Sequence, residues 1–162
     1  MRNITWMIII GMLINISDIQ ASPNKQPVSC SMTISSPQSL SAGILLNFAI
    51  HNPLNENIQL LSWYTPFEGF LSNLFKITDE AGSLINYQGI MVKRLSPEPS
   101  DFLLIPAHTK HEIQLDLSKA YSLTSGSYNI DLIYQRLRYK NEDGVLNEFI
   151  CAPETITVQA VN

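Results

Sequence analysis

The stretch HEIQLDL, residues 111–117, sets Ile113, Leu115 and Leu117 at every second position with Glu112, Gln114 and Asp116 between them. A strand sends successive side chains to opposite faces, so this spacing gives one apolar face for a core and one polar face for water. SYNIDLIY, residues 127–134, repeats the pattern with Tyr128, Ile130, Leu132 and Tyr134 and falters at Arg136, where a bulge or strand end is expected. Working outward, Cys30, Met32 and Ile34 alternate with Ser31, Thr33 and Ser35, and ILLNFAIHN (44–52) lines up Leu46, Phe48 and Ile50 before Asn52 and Pro53 stop it. IQLLSWYT (58–65) follows, then LFKITDEAGSLINY (74–87), a hairpin around Glu80, Ala81 and Gly82 in which Gly82 supplies the positive φ of the turn. GVLNEFICA (144–152) and TITVQAV (155–161) close the series. Seven to nine antiparallel strands with no amphipathic helix predict an all-β chain, an immunoglobulin-like antiparallel β-sandwich. An eight-stranded barrel is the alternative. KRLSPEPSDFLLIP (93–106), with three prolines, reads as a long surface connection.

The N-terminus, MRNITWMIIIGMLINISDIQA, has one Arg, an apolar run from Ile4 to Ile16, and the small residue Ala21 at a cleavage position, as in a secretory signal. The run is shorter than the roughly 20 residues that span a bilayer, and an uncleaved anchor is the alternative. The expected organisation is therefore a signal peptide over 1–21 and a single β-sandwich domain over 22–162, secreted or periplasmic, with no membrane association after cleavage. An oxidising compartment makes Cys30 and Cys151 candidates for a disulfide. Closing so long a loop removes about 4.7 kcal/mol of unfolded-chain entropy. Two free thiols are the alternative.

Charged residues are 15% of the 162 and hydrophobic residues 45%, which excludes an intrinsically disordered chain. The net charge of −4 leaves no basic field to neutralise phosphates, so nucleic acid is not an expected partner. No residue pattern calls for a cofactor. His108, His111 and Glu112 in AHTKHE are the nearest approach to a metal set. However, histidines three apart share a face only on a helix, and the order matches neither helical zinc motif. There is no G-x-S-x-G elbow, and Glu68, Asp101 and Asp116 are spread out, so that a carboxylate pair would form only by coincidence of the fold. The expectation is a protein that is not an enzyme. Arg136, Arg138 and Lys140 share one strand face and read either as a protected sheet edge or as a partner-binding patch.

SWYTPFEGFLSNLF, residues 62–75, holds Trp63, Tyr64, Phe67, Phe70 and Phe75, more aromatic surface than one strand face buries. Trp63 is the candidate core residue. Pro66 and Gly69 interrupt the strand, which makes Phe67, Glu68 and Phe70 the candidate partner-binding loop, with capping of the sandwich end as the alternative.

Trp63, Thr65, Pro66, Glu68 and Gly69 form a W-x-T-P-x-E-G pattern. Downstream come Tyr87 and Gly89 (Y-x-G), Lys93 and Arg94 (K-R), Pro97 with Asp101, then Asp116, Leu117 and Tyr121, and then Gly126 and Tyr128 (G-x-Y). Over roughly residues 43–135 this order and spacing resembles the non-catalytic N-terminal region of deuterolysin-type (aspzincin) zinc metallopeptidases, including peptidyl-Lys metalloendopeptidases. The chain carries no H-E-x-x-H, so no catalytic or zinc-binding residue is carried over. What the resemblance implies is a sandwich of propeptide type whose partner is a secreted deuterolysin-type peptidase, acting as inhibitor or folding assistant. A surface adhesion or glycan-binding module is the competing expectation.

Overall fold

The computed structural model describes residues 27–162; the expected signal segment lies outside the described residues. Twelve strands form among the described residues: β1 (Ser29–Ile34), β2 (Gln38–Ser39), β3 (Leu45–Asn52), β4 (Ile58–Leu61), β5 (Phe75–Asp79), β6 (Leu84–Ile85), β7 (Phe102–Ile105), β8 (Thr109–Asp116), β9 (Gly126–Leu132), β10 (Arg136–Lys140), β11 (Leu146–Ile150) and β12 (Ile156–Val161). The only helical segments among the described residues are four 3-10 turns of three residues each. No described helix is long and apolar enough to cross a membrane.

One layer is the antiparallel sheet β1-β3-β8. Its register sets Met32 opposite Phe48 and Ile34 opposite Leu46, and Phe48 and Leu46 in turn opposite Ile113 and Leu115. The alternating apolar positions of three strands thereby form one inner face. The other layer is split. One half runs β11-β10-β4-β7 and the other β2-β12-β9-β5-β6. The lateral order β11-β10-β4 of the first half is repeated as β12-β9-β5 in the second, because β4 leads to β5, β9 to β10 and β11 to β12. Counting each interrupted pair once leaves nine strands, within the expected range, in an all-β sandwich.

The interruptions fall at 62–74, 133–135 and 151–155, and hydrogen bonds cross between them, from the Ile133 N–H to the Leu74 carbonyl (2.9 Å) and from the Cys151 N–H to the Gln135 carbonyl (2.7 Å). The Tyr64 and Tyr134 rings meet across the same gap at 4.7 Å. The stall in alternation before Arg136 is this break. A Cys30–Cys151 disulfide, with a Cα–Cα separation of 5.4 Å, ties β1 of the continuous layer to the break after β11.

A single apolar core joins the layers: Leu46, Phe48 and Ile50 from β3; Ile58 and Leu60 from β4; Phe75 and Ile77 from β5; Ile130 from β9; and Val158 from β12. At full burial each contributes about 1.5–3 kcal/mol of transfer free energy. Tyr128, opposite Val158, donates its hydroxyl to the Thr124 carbonyl and accepts from the Thr124 N–H, both at 3.0 Å. This return bond to the backbone upstream is a device of immunoglobulin-like sandwiches. The hairpin forms around Glu80–Gly82 as expected, with the Asp79 carboxylate accepting from the N–H groups of Ala81 (3.0 Å) and Ser83 (2.7 Å).

Two expectations are corrected. The segment 93–106 is not connection throughout: its end is β7, paired with β4, and Ile105 is fully buried. Prolines 97 and 99 shape only the approach, a 3-10 turn over Pro99–Asp101, and Pro106 follows the last residue that needs a ladder. Arg136, Arg138 and Lys140 do not line an edge, because β10 lies between β11 and β4.

Candidate functional site

The W-x-T-P-x-E-G pattern fills the break between β4 and β5. Thr65 caps a 3-10 turn over Pro66–Glu68: its hydroxyl donates to the Ser62 carbonyl (2.6 Å) and accepts from the Phe67 N–H (3.3 Å). Pro66 occupies the first turn, where its missing N–H costs nothing. The turn ends at Gly69, whose φ of 70° favours glycine. The turn throws Glu68 inward. Its carboxylate accepts from the Tyr64 N–H (2.9 Å) and the Ser72 hydroxyl (3.3 Å) and pairs with the Arg94 guanidinium. The Glu68 side chain is 5% exposed and that of Arg94 16%.

Burial pushes the Glu68 carboxyl above its ordinary range, outweighing the Tyr64 N–H, the Arg94 charge and the Ser72 hydroxyl, which pull it down. Arg94 also lies over the Trp63 ring, 5.2 Å from its centroid, within cation–π range. Trp63 is therefore half-buried beneath a cation rather than a member of the main core. Asp101, at the far side, is held below the usual carboxylate range, first by the Glu98 N–H and then by the nearby Trp63 indole and the Arg94 charge.

Phe67 and Phe70 are not free on a loop. Phe67 sets its ring edge-on to Phe48 (5.5 Å) and beside His111 (5.1 Å), and Phe70 meets Tyr121 edge-on at 6.2 Å. The expected contact loop is thus a wedge. Its apolar rings complete the core at the break, and its one charge is consumed by Arg94. The turn after β4 is too tight to leave the rings in water when an apolar surface lies beneath them.

Of the remaining pattern residues, Tyr121, Tyr87 and Gly89 brace the same region, whereas Asp116 and Gly126 serve elsewhere in the fold. The Tyr121 hydroxyl lies 2.8 Å from Asn73 Oδ1 and accepts from the Phe75 N–H (3.1 Å), and burial pushes its pKa far up. The Tyr87 hydroxyl sits 2.8 Å from the carbonyls of both Phe70 and Ile90. A Cβ at Gly89 would fall 2.3 Å from that hydroxyl, so the Y-x-G step requires glycine for close approach. Asp116 accepts from the N–H groups of Ile44 and Ser118, each at 3.1 Å, and Gly126 opens β9.

What these braces hold out is the segment 90–95. Ile90 is 62% exposed, Met91 74%, Val92 39% and Leu95 94%, so four of the ten large exposed apolar side chains among the described residues fall within six positions. Lys93 between them is exposed. The segment is pinned at three points: the Ile90 carbonyl at Tyr87, the Val92 N–H on the Leu71 carbonyl (3.0 Å), and Arg94 on Glu68. In sequence only Lys93 and Arg94 of this segment stand out, as the K-R step and the start of the expected connection; the signal for the rest is Ile90, Met91 and Val92, three successive apolar residues with no alternation.

Elsewhere, His108 sits in a turn at φ 56°, His111 is engaged with Phe67, and exposed Glu112 pairs with Lys110. Among the described residues no three His, Cys, Asp or Glu side chains are grouped to hold a metal. Compared with known proteins, the chain matches no family model and no curated protein.

Proposed function

We propose that this is a non-enzymatic, exported binding module of propeptide type, and that it engages a secreted deuterolysin-type peptidase through the segment 90–95. The observation that carries the reading is the pinned segment itself. Four exposed apolar side chains in six residues exceed what a solvated loop needs, and their backbone is held in place before any partner arrives. Preorganisation lowers the ordering cost of binding. The aromatic stretch supports the contact rather than making it, because its rings and carboxylate are already engaged within the chain.

Titration against a purified deuterolysin-type peptidase, with peptidase activity followed in parallel, tests the proposal. The double substitution Met91→Ser with Leu95→Ser should weaken binding by about 2 kcal/mol or more, as expected for anchor residues. Its unfolding midpoint should stay at the wild-type value. No binding by the unaltered protein would overturn the choice of partner. Binding that survives the double substitution would overturn the choice of site.

A further inference from the structure

A second surface lies on the outer face of the half-layer β11-β10-β4-β7. Leu137 points into the core from β10, so Arg136, Arg138 and Lys140 point out. Register places Glu148 of β11 beside Arg138, and Leu146 of β11 and Gln59 of β4 on either side of Lys140. Glu148 is taken by Arg136 at 3.1 Å. Arg138 has no ion-pair or hydrogen-bond partner among the described residues, and Lys140 has no anion, its Nζ lying 4.0 Å over the Phe102 ring. These two cations rim a cavity of about 240 Å³ whose walls are Leu61, Pro97, Phe102 and Leu146.

On a chain whose net charge is −4, this is a local inversion of sign over an apolar floor. The cavity is smaller than the roughly 300–1,000 Å³ of sites that enclose a whole small molecule, and it suits one large side chain.

We propose that this face docks an acidic peptide segment bearing one large apolar side chain, with the apolar group in the cavity and a flanking carboxylate on Arg138. Guanidinium geometry favours a two-point bond to that carboxylate, and Lys140 adds a second positive charge at the rim. The cavity takes one wall from Pro97, two residues beyond segment 90–95, but its cations and its other walls come from β4, β7, β10 and β11, and the proposal does not depend on the peptidase reading.

The test is a fluorescence-anisotropy titration of the full chain with labelled Asp-Glu-Phe-Glu-Asp, beside the charge-inverted Lys-Arg-Phe-Arg-Lys and vesicles of phosphatidylserine in phosphatidylcholine. The acidic peptide should bind and lose affinity as salt rises. Arg138→Glu should weaken it by about tenfold or more. Leu146→Asp, at an exposed position where folding is not at risk, should weaken it as well. The proposal is overturned by no binding of the acidic peptide, by equal binding of the inverted peptide, by full affinity in both variants, or by vesicle binding without peptide binding.

Discussion

Residues 62–75 and residues 90–95 stand out very differently in sequence and exchange roles in the structure. The first stretch is dense in aromatics and interrupted by Pro66 and Gly69, which suggests an exposed contact loop. In the fold its rings pack on Phe48, His111 and Tyr121, and its carboxylate is buried under Arg94. Of the second stretch only Lys93, Arg94 and Leu95 fall within the expected connection, and in the fold the stretch holds Met91 and Leu95 in water. Where a sheet layer breaks, apolar surface is uncovered on both sides of the break. Large rings close to that break in sequence are drawn in to cover it, and the next segment is left outside on the scaffold they make.

The comparison breaks most severely at Glu68. Glu68→Ala leaves Arg94 facing Trp63 without its counter-charge and leaves the Tyr64 N–H and the Ser72 hydroxyl without an acceptor. The expected loss is about 3–5 kcal/mol, read from urea unfolding. The intact pair is not itself a large source of stability, since burying two charges costs nearly what their attraction returns. Phe67→Ala should cost about 3 kcal/mol, the lower end for a phenylalanine, because part of its surface is already exposed. An unfolding midpoint unchanged by either substitution would return 62–70 to the role of a free loop.

A pH series sharpens the same point. The folded-state pKa of Glu68 lies above 4.5, so the folded chain holds this proton more tightly than the unfolded chain. Its contribution to stability is complete below pH 4.5 and is lost as pH rises through the folded value. Over that window the wild type should lose stability relative to Glu68→Gln, which does not titrate. Parallel urea midpoints for the two proteins would contradict the burial of the carboxylate.

The fold was legible wherever strands alternate. Ile113, Leu115 and Leu117, or Tyr128, Ile130 and Leu132, state their inner faces directly, and the hairpin at Gly82 is announced by its turn chemistry. What alternation does not encode is continuity between strands. Nothing in the residues from Gln135 to Arg136, or in those after Cys151, says that three neighbouring strands break at one level and divide the layer. β7 was hidden for a related reason: four apolar residues without alternation, set between prolines, look like connection until a partner strand gives them a ladder. At the candidate site, Thr65, Pro66 and Gly69 were readable as a turn. That the turn points Glu68 inward depends on Arg94, 26 positions downstream and brought there by the fold. The Cys30–Cys151 pairing was readable from the even count and the expected oxidising compartment, whereas its role in fastening the split was not.

Brief chymotrypsin digestion of the native protein tests the exchange of roles most directly. Composition alone points the protease to 62–75, which offers Trp63, Tyr64, Phe67, Phe70, Leu71, Leu74 and Phe75, against only Met91 and Leu95 in the exposed segment. Proteolysis follows exposed backbone rather than residue type. The first cut should therefore fall after Leu95 or Met91 while 62–75 stays intact, as read by mass measurement of the fragments. First cuts within 62–75 would contradict the account.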